Sequence, residues 1–304
     1  MANSREAWEH CLAVPGNYRF TPSLRLVERY EFPDCDAELY RQTNGPGTAQ
    51  RLLKVFPKEL KDRAPAVAVP FDFPEAMLGF ELDSREELPR FAGISMLRDL
   101  ARRGFVAATA DAYHLTFLTT DRDRLEWARW QEAGDALLAA YPEWCGMGKL
   151  LADTRLLIDA LAGDGRVDAG RIGIAGHSLG GKMAFYAGCL DERVKAILAS
   201  DFGIGWDQTN WQDVWYWGDR VGMLRERGMD HSQLLSMAGG KPFLLLAGKF
   251  DNEESWTMMK RASGYEEHPE RLVILNHASG HRPPRYALEA GYGFLEHFLK
   301  EDDE

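Results

Sequence analysis

Cysteine is scarce and scattered. Cys11, Cys35, Cys145 and Cys189 are the four in 304 residues, with no Cys-x-x-Cys pair among them. That density excludes a disulfide-stapled secreted domain, and reduced thiols, buried or partly exposed, are expected in a cytosolic protein. Also missing is an apolar run near the roughly 20 residues that a helix needs to cross a bilayer. The stretch MANSREAWEHCLAVPGNYRF has no basic segment followed by an apolar one, so it does not read as a signal peptide. A cytoplasmic location is expected. Positive charge is in deficit: 36 Lys and Arg stand against 47 Asp and Glu, a net charge of -11. Such a chain repels phosphate backbones and anionic lipid, which argues against nucleic acid and membranes as partners. No internal repeat, low-complexity tract or flexible linker interrupts it, and a single domain over 1–304 is expected.

What the chain does contain falls into two patterns. Up to about residue 56 the segments Leu24 to Phe32, Ala37 to Gln42 and Arg51 to Phe56 mix β-branched, aromatic and charged residues between turn formers such as Asn44-Gly45-Pro46-Gly47. These predict half-exposed antiparallel strands at a sheet edge. From Ala64 onward, apolar strands alternate with amphipathic helices. The strands are expected at Ala66 to Phe71, Phe105 to Ala110, Arg171 to Gly176, Val194 to Ser200, Phe243 to Gly248 and Arg271 to Asn276. Strands apolar on both faces belong in a parallel sheet covered by helices on each side. Between them, Leu150, Thr154, Leu157, Ile158 and Leu161 recur at helical spacing as a core stripe, and a last helix is expected from about Tyr286 to Lys300.

One stretch breaks the alternation. Residues 205–240 carry Trp206, Trp211, Trp215 and Trp217 with no evident strand, and are expected to form a cap inserted over the C-terminal edge of the sheet.

The chemistry concentrates in RIGIAGHSLGGKMAFYAGCL. Here Gly176-His177-Ser178-Leu179-Gly180 forms a Gly-x-Ser-x-Gly pattern between a buried strand and a helix. Glycines on either side of the Ser allow the sharp turn that lifts its hydroxyl above the sheet, and the helix N-terminus adds positive potential where negative charge develops. Gly176 to Lys182 also satisfies the Gly-x-x-x-x-Gly-Lys start of a phosphate-binding loop. The next residue, however, is Met183, where a Ser or Thr would be needed to hold magnesium. The later GMGK at Gly146 to Lys149 has no strand before it. Ser178 is therefore the candidate nucleophile.

A Ser hydroxyl needs a base, and the base needs an orienting carboxylate. In the α/β-hydrolase arrangement these follow in the order Ser, acid, His, each just past a later strand. His281, in the loop after the last strand, is preferred over His277 because a longer loop can carry the imidazole over the Ser. Asp251, after FLLLAGKF, is the preferred acid over Glu253, Glu254 and Asp201, the last of which follows the preceding strand, where some triads take their acid. The oxyanion donors are expected to be the backbone N–H of Leu179 and that of Phe71 or Asp72.

The series GHSLGG, GKFD and SGH, preceded by RRGFVAATADAY and VDAGRIGIAGHS, resembles the α/β-hydrolase superfamily. Within it the sequence is similar to the dienelactone hydrolase-like and acetyl xylan esterase-like bacterial esterases, over roughly residues 64 to 300. Dienelactone hydrolases proper use a Cys nucleophile, and Ser178 stands in that place, so lactone specificity does not carry over. The Trp-rich stretch has no counterpart of known substrate class.

The expectation is an α/β-hydrolase fold and a serine carboxylesterase with the triad Ser178, His281 and Asp251, working through an acyl-enzyme without metal or organic cofactor. Its substrate would be a small-molecule ester, small or acetylated, and the chain would act alone or as a homo-oligomer. Trp206, Trp211, Trp215, Tyr216 and Trp217 are candidates for a pocket wall, equally well explained as a self-packed cap or a subunit interface, and Trp206 and Trp211 are taken as substrate contacts. A peptidase or amidase with the same triad, or a non-catalytic hydrolase-fold binding protein, are the alternatives.

Overall fold

The mixed polar and apolar segments near the N-terminus pair as an antiparallel meander: β1 (Leu24–Glu31), β2 (Cys35–Gly45) and β3 (Thr48–Pro57). They are followed by β4 (Ala64–Ala68), β5 (Val106–Ala110), β6 (Val167–His177), β7 (Val194–Ser200), β8 (Phe243–Ala247) and β9 (Leu272–Asn276). The structure is a computed structural model and describes residues 2–60, 62–117 and 126–300. One nine-stranded sheet results, in the order β1-β2-β3-β5-β4-β6-β7-β8-β9. From β5 to β9 the pairing is parallel, and β3 joins β5 antiparallel with Leu52 opposite Ala110.

The all-apolar strands are buried along their whole length, as in VAATA of β5 and FLLLA of β8. Both faces must then be covered. On one face, helices Gly146–Ala162 and Leu179–Leu190 lay Leu150, Leu157 and Phe185 against Ile172 and Ile174. On the other, helices Leu97–Arg102 and Arg285–Lys300 pack Leu100, Leu288 and Leu295 against Ala175 and Leu198. The stripe Leu150, Thr154, Leu157, Ile158 and Leu161 is fully inside, as its spacing predicts. The strand expected to reach Phe71 stops at Ala68, just ahead of Pro70, which has no N–H to offer a ladder.

A helix at Ala2–Leu12, which the sequence reading did not anticipate, buries Trp8 between Trp206 and Trp217. The Trp-rich segment contains two short helices, Arg220–Glu226 and His231–Ser236. The second of these packs on Leu179–Leu190 and on the N-terminal helix. All four cysteines are buried and unpaired. Among the described residues no helix is long and apolar enough to cross a membrane.

The winding of the sheet sets the position of the site. After β4 the chain moves outward to β5, then crosses back over β4 to β6, so its direction reverses between β4 and β6. In open α/β sheets the crevice at such a reversal, beyond the carboxyl ends of the strands, is where ligands bind.

Candidate active site

Ser178 stands at that crevice, directly after β6 and at the head of the helix Leu179–Leu190. Its backbone is left-handed, with φ 55° and ψ -114°, a conformation that costs a non-glycine residue about 1–3 kcal/mol. The turn is held because Ser178 N donates to Ser200 O at 2.8 Å and Lys182 N donates to Ser178 O at 3.0 Å. Two of its glycines are obligatory. A Cβ on Gly176 would meet Gly180 O at 2.1 Å, and one on Gly180 would meet Pro70 O at 2.2 Å. The second contact docks the loop after β4 onto the first turn of the helix.

The loop after β9 brings an imidazole to the Ser. His281 Nε2 lies 2.9 Å from Ser178 Oγ, and its Nδ1 lies 2.7 Å from Asp201 Oδ2. Asp201 is fully buried and has φ 40°. Burial alone would raise its pKa, but hydrogen bonds from His281 and from the N–H groups of Asp251, Phe250 and Lys249 outweigh it and hold the carboxyl below its ordinary value. An ionised Asp201 accepts a proton bond, so Nδ1 carries the hydrogen and Nε2 is left as an acceptor facing the Ser hydroxyl. The His281 ring is packed between His177, at 4.5 Å, and the edge of Phe250, at 4.9 Å.

Ser178 and His281 are thus brought together as expected, whereas the expected carboxylate is displaced. Asp251 does not reach His281. Its carboxylate accepts Gly203 N and Ile204 N, each at 2.8 Å, and Ser255 Oγ at 2.9 Å. Strand ends explain the exchange. β7 is hydrogen-bonded beside β6 with Ser200 opposite His177, so the next residue, Asp201, emerges level with Ser178. β8 lies one strand further out and ends at Ala247, and by Asp251 the chain has turned to begin a helix. Glu253 and Glu254 sit exposed in the first turn of that helix. His277 stays under the loop, with Nδ1 2.8 Å from Ser279 Oγ, and burial lowers its pKa.

A hollow of about 470 Å³ opens over Ser178 and His281. Its wall includes Trp127, Lys182, Asn210, Asp213, Trp215 and Phe250. Trp206 and Trp211, expected as substrate contacts, are core residues instead. The Trp206 indole donates to Met229 O and that of Trp211 to Gly203 O, and both rings pack on His231 at 4.1 and 4.6 Å. An indole with its N–H satisfied inside the protein has nothing left to offer a ligand but a face, and here the faces are covered. Trp215 lines the hollow, stacked 5.9 Å from the exposed ring of Trp127. Of the Trp-rich segment, Thr209, Asn210, Asp213 and Trp215 reach the site.

Leu179 is the first residue of the helix, where N–H groups have no partner within the helix. Phe71 and Asp72 lie in the loop docked on Gly180. Asp72 O accepts Ala112 N at 2.9 Å, and His114 Nε2 is 2.7 Å from the Asp72 carboxylate, which pins that loop. Lys182 was legible only as the lysine of a rejected phosphate loop; one helical turn beyond Ser178, it points into the same hollow.

A Gly-x-Ser-x-Gly elbow at a sheet reversal, with Ser, His and Asp in one hydrogen-bonded line, is the arrangement of the α/β-hydrolase fold, and the chain has that fold. Residues 90–209 match the Dienelactone hydrolase family. Among solved structures the chain is similar to an acetyl xylan esterase described as putative, from Bacteroides fragilis, at 13% identity and TM-score 0.73, over 91% of this chain and 74% of that one. It is similar to a glucuronoyl esterase from Teredinibacter turnerae at 17% identity and TM-score 0.70, over 97% and 83%. A third, acetyl xylan esterase 1 from a Thermoanaerobacterium, has 16% identity and TM-score 0.59 over 97% and 93%. No curated protein matches by sequence. The resemblance drawn from GHSLGG and its flanks is borne out, and the proteins it points to are carboxylic ester hydrolases.

Proposed function

We propose that this protein is a serine carboxylic ester hydrolase with Ser178 as nucleophile, His281 as general base and acid, and Asp201 as the carboxylate that orients His281. The observation that carries the reading is the unbroken line from Ser178 Oγ through His281 to Asp201 at the floor of a hollow. His281 Nε2 takes the Ser178 proton as Oγ attacks the ester carbonyl. The tetrahedral oxyanion accepts the Leu179 N–H and that of Phe71 or Asp72. Collapse expels the alcohol, which leaves with the proton from His281, and a water activated by the same nitrogen then releases the acid.

The named activities of the structural neighbours, acetyl xylan and glucuronoyl esterases, favour an ester attached to a sugar. The Trp127 and Trp215 rings support this, since a flat aromatic wall suits a sugar ring.

The test is hydrolysis of a short para-nitrophenyl ester beside a peptide anilide, with Ser178→Ala as control. The parent is expected to turn over the ester in preference to the anilide, and the variant to lose at least about 1,000-fold in kcat. Labelling by an organophosphonate should disappear in the same variant. Retention of most of the esterase activity by Ser178→Ala would sink the assignment.

A further inference from the structure

Lys182 is 3% exposed, and burying a cation without a counter-charge is costly. Its Nζ donates to Thr209 Oγ1 at 2.7 Å and to Asn210 Oδ1 at 2.9 Å, both neutral. The faces of Trp211 and Tyr216 lie 4.8 and 4.5 Å from it. Among the described residues no carboxylate stands within ion-pair distance. Asp213 comes nearest in effect, but its carboxylate is taken up by Asn210 Nδ2, which stands between it and the lysine. An ammonium has three N–H groups, and two are used.

The third has somewhere to go. Lys182 lines the hollow that Ser178 and His281 also line, one helical turn from the nucleophile, so a single small molecule can touch both. We propose that Lys182 anchors a carboxylate carried by the substrate, so that the preferred esters of this pocket bear a second, ionised carboxyl group. The inference rests on the esterase reading for its reaction but not for its binding. A neutral hydroxyl could also accept the free N–H, yet it would leave the buried charge uncompensated, whereas a carboxylate supplies the missing charge and a charge-assisted bond at once. Burial pulls the free lysine down to about 7, against the raising effect of Asp213 and Asp251. It is therefore a cation that a bound anion would strengthen.

The experiment compares mono-para-nitrophenyl glutarate with para-nitrophenyl pentanoate, and meta-acetoxybenzoate with meta-tolyl acetate. These pairs place the carboxylate on the acyl and on the alcohol side in turn. The readout is the kcat/KM ratio within each pair, in the parent and in Lys182→Met. In at least one pair, at about pH 6, the parent ratio should exceed the variant ratio by about tenfold or more, as loss of a hydrogen bond to a charged group implies. It should shrink in the parent toward about pH 8.5, as the ammonium discharges, and stay flat in the variant. Equal ratios in both proteins for both pairs would overturn the proposal. Should Lys182→Met not fold, fluorescence titration of Ser178→Ala protein decides the matter: monoethyl glutarate should bind about tenfold tighter than ethyl pentanoate, and equal binding overturns the carboxylate site. If the parent hydrolyses neither ester of a pair while Ser178→Ala still prefers the carboxylate, the esterase reading falls and the anion site stands. Hydrolysis of both without discrimination does the reverse.

Discussion

Asp201 and Asp251 clasp one another's loops. The Asp201 carboxylate accepts the N–H groups of Gly248, Lys249, Phe250 and Asp251 at 2.8–3.0 Å, and the Asp251 carboxylate accepts those of Gly203 and Ile204 at 2.8 Å. Each carboxylate therefore fastens the segment that follows the other's strand, but Asp201 alone of the two touches His281. Asp201→Asn should lower kcat by about 1,000- to 10,000-fold, because an amide no longer favours the hydrogen on Nδ1, and should also cost about 1–3 kcal/mol of stability through N–H groups left facing an amide. Asp251→Asn should cost about 1–3 kcal/mol of stability, through donors left facing an amide, with a much smaller loss of kcat. Steady-state kinetics and urea unfolding on the two variants check the division. A larger kcat loss in Asp251→Asn than in Asp201→Asn would return the acid to Asp251.

Acid should weaken the fold through histidines that cannot charge. Burial is the main cause that lowers His177 and His231 to about 3, with the charge of neighbouring His281 adding to it for His177. Above the ordinary value of about 6.5 both are neutral whether folded or unfolded. Between about 6.5 and 3 the unfolded chain binds protons that the folded one refuses, so stability is lost as pH falls through that window. The urea midpoint should drop from about pH 6.5 to 4, and His231→Gln, which hydrogen-bonds without titrating, should show a shallower drop. Parallel curves would refute a role for His231.

The loop bearing Phe71 and Asp72 depends on a glycine in another element. In Gly180→Ala the new methyl would press on Pro70 O, and backbone rather than a flexible side chain must move. We expect kcat to fall by about 10-fold or more with KM changed less, since the shift displaces the backbone proposed to hold the oxyanion rather than the pocket wall. Affinity for a boronic acid that mimics the tetrahedral state should fall in step with kcat.

Tryptophans of the two kinds should respond differently to truncation. Trp211→Ala removes a fully buried ring and should cost about 3–5 kcal/mol, read as a lowered Tm. Trp127 is 63% exposed at the rim of the hollow, so Trp127→Ala should leave Tm within about 2 °C and raise KM for a bulky ester. A large Tm loss in Trp127→Ala would make it a structural residue.

Much of this was legible before any fold was known, for local reasons. Six apolar runs announced six parallel strands, the 150–161 stripe announced a buried helix face, and Gly176 to Gly180 between strand and helix announced an elbow. In each case the signal is a property of neighbouring residues: burial on both faces, helical periodicity, or a backbone turn that a side chain would obstruct. His281 was also within reach, because a loop after the last strand leaves few imidazoles to choose from.

The carboxylate that meets His281, the pocket wall and the lysine were decided elsewhere. Chain order allows Asp201 and Asp251 alike, and the choice falls to the lateral order β6-β7-β8, which sets one strand end level with Ser178 and the other a strand further away. Tryptophans of one short segment look alike in sequence. Trp211 enters the core, whereas Trp215 lines the hollow, its backbone docked on Gly146 where any Cβ would strike its carbonyl oxygen. The amino-acid order alone determined the elements and the elbow that carries Ser178, since these follow from contacts within a few residues. Tertiary structure alone decided which carboxylate meets His281 and which side chains line the site, because those contacts join residues that are distant in the chain and are set by strand adjacency.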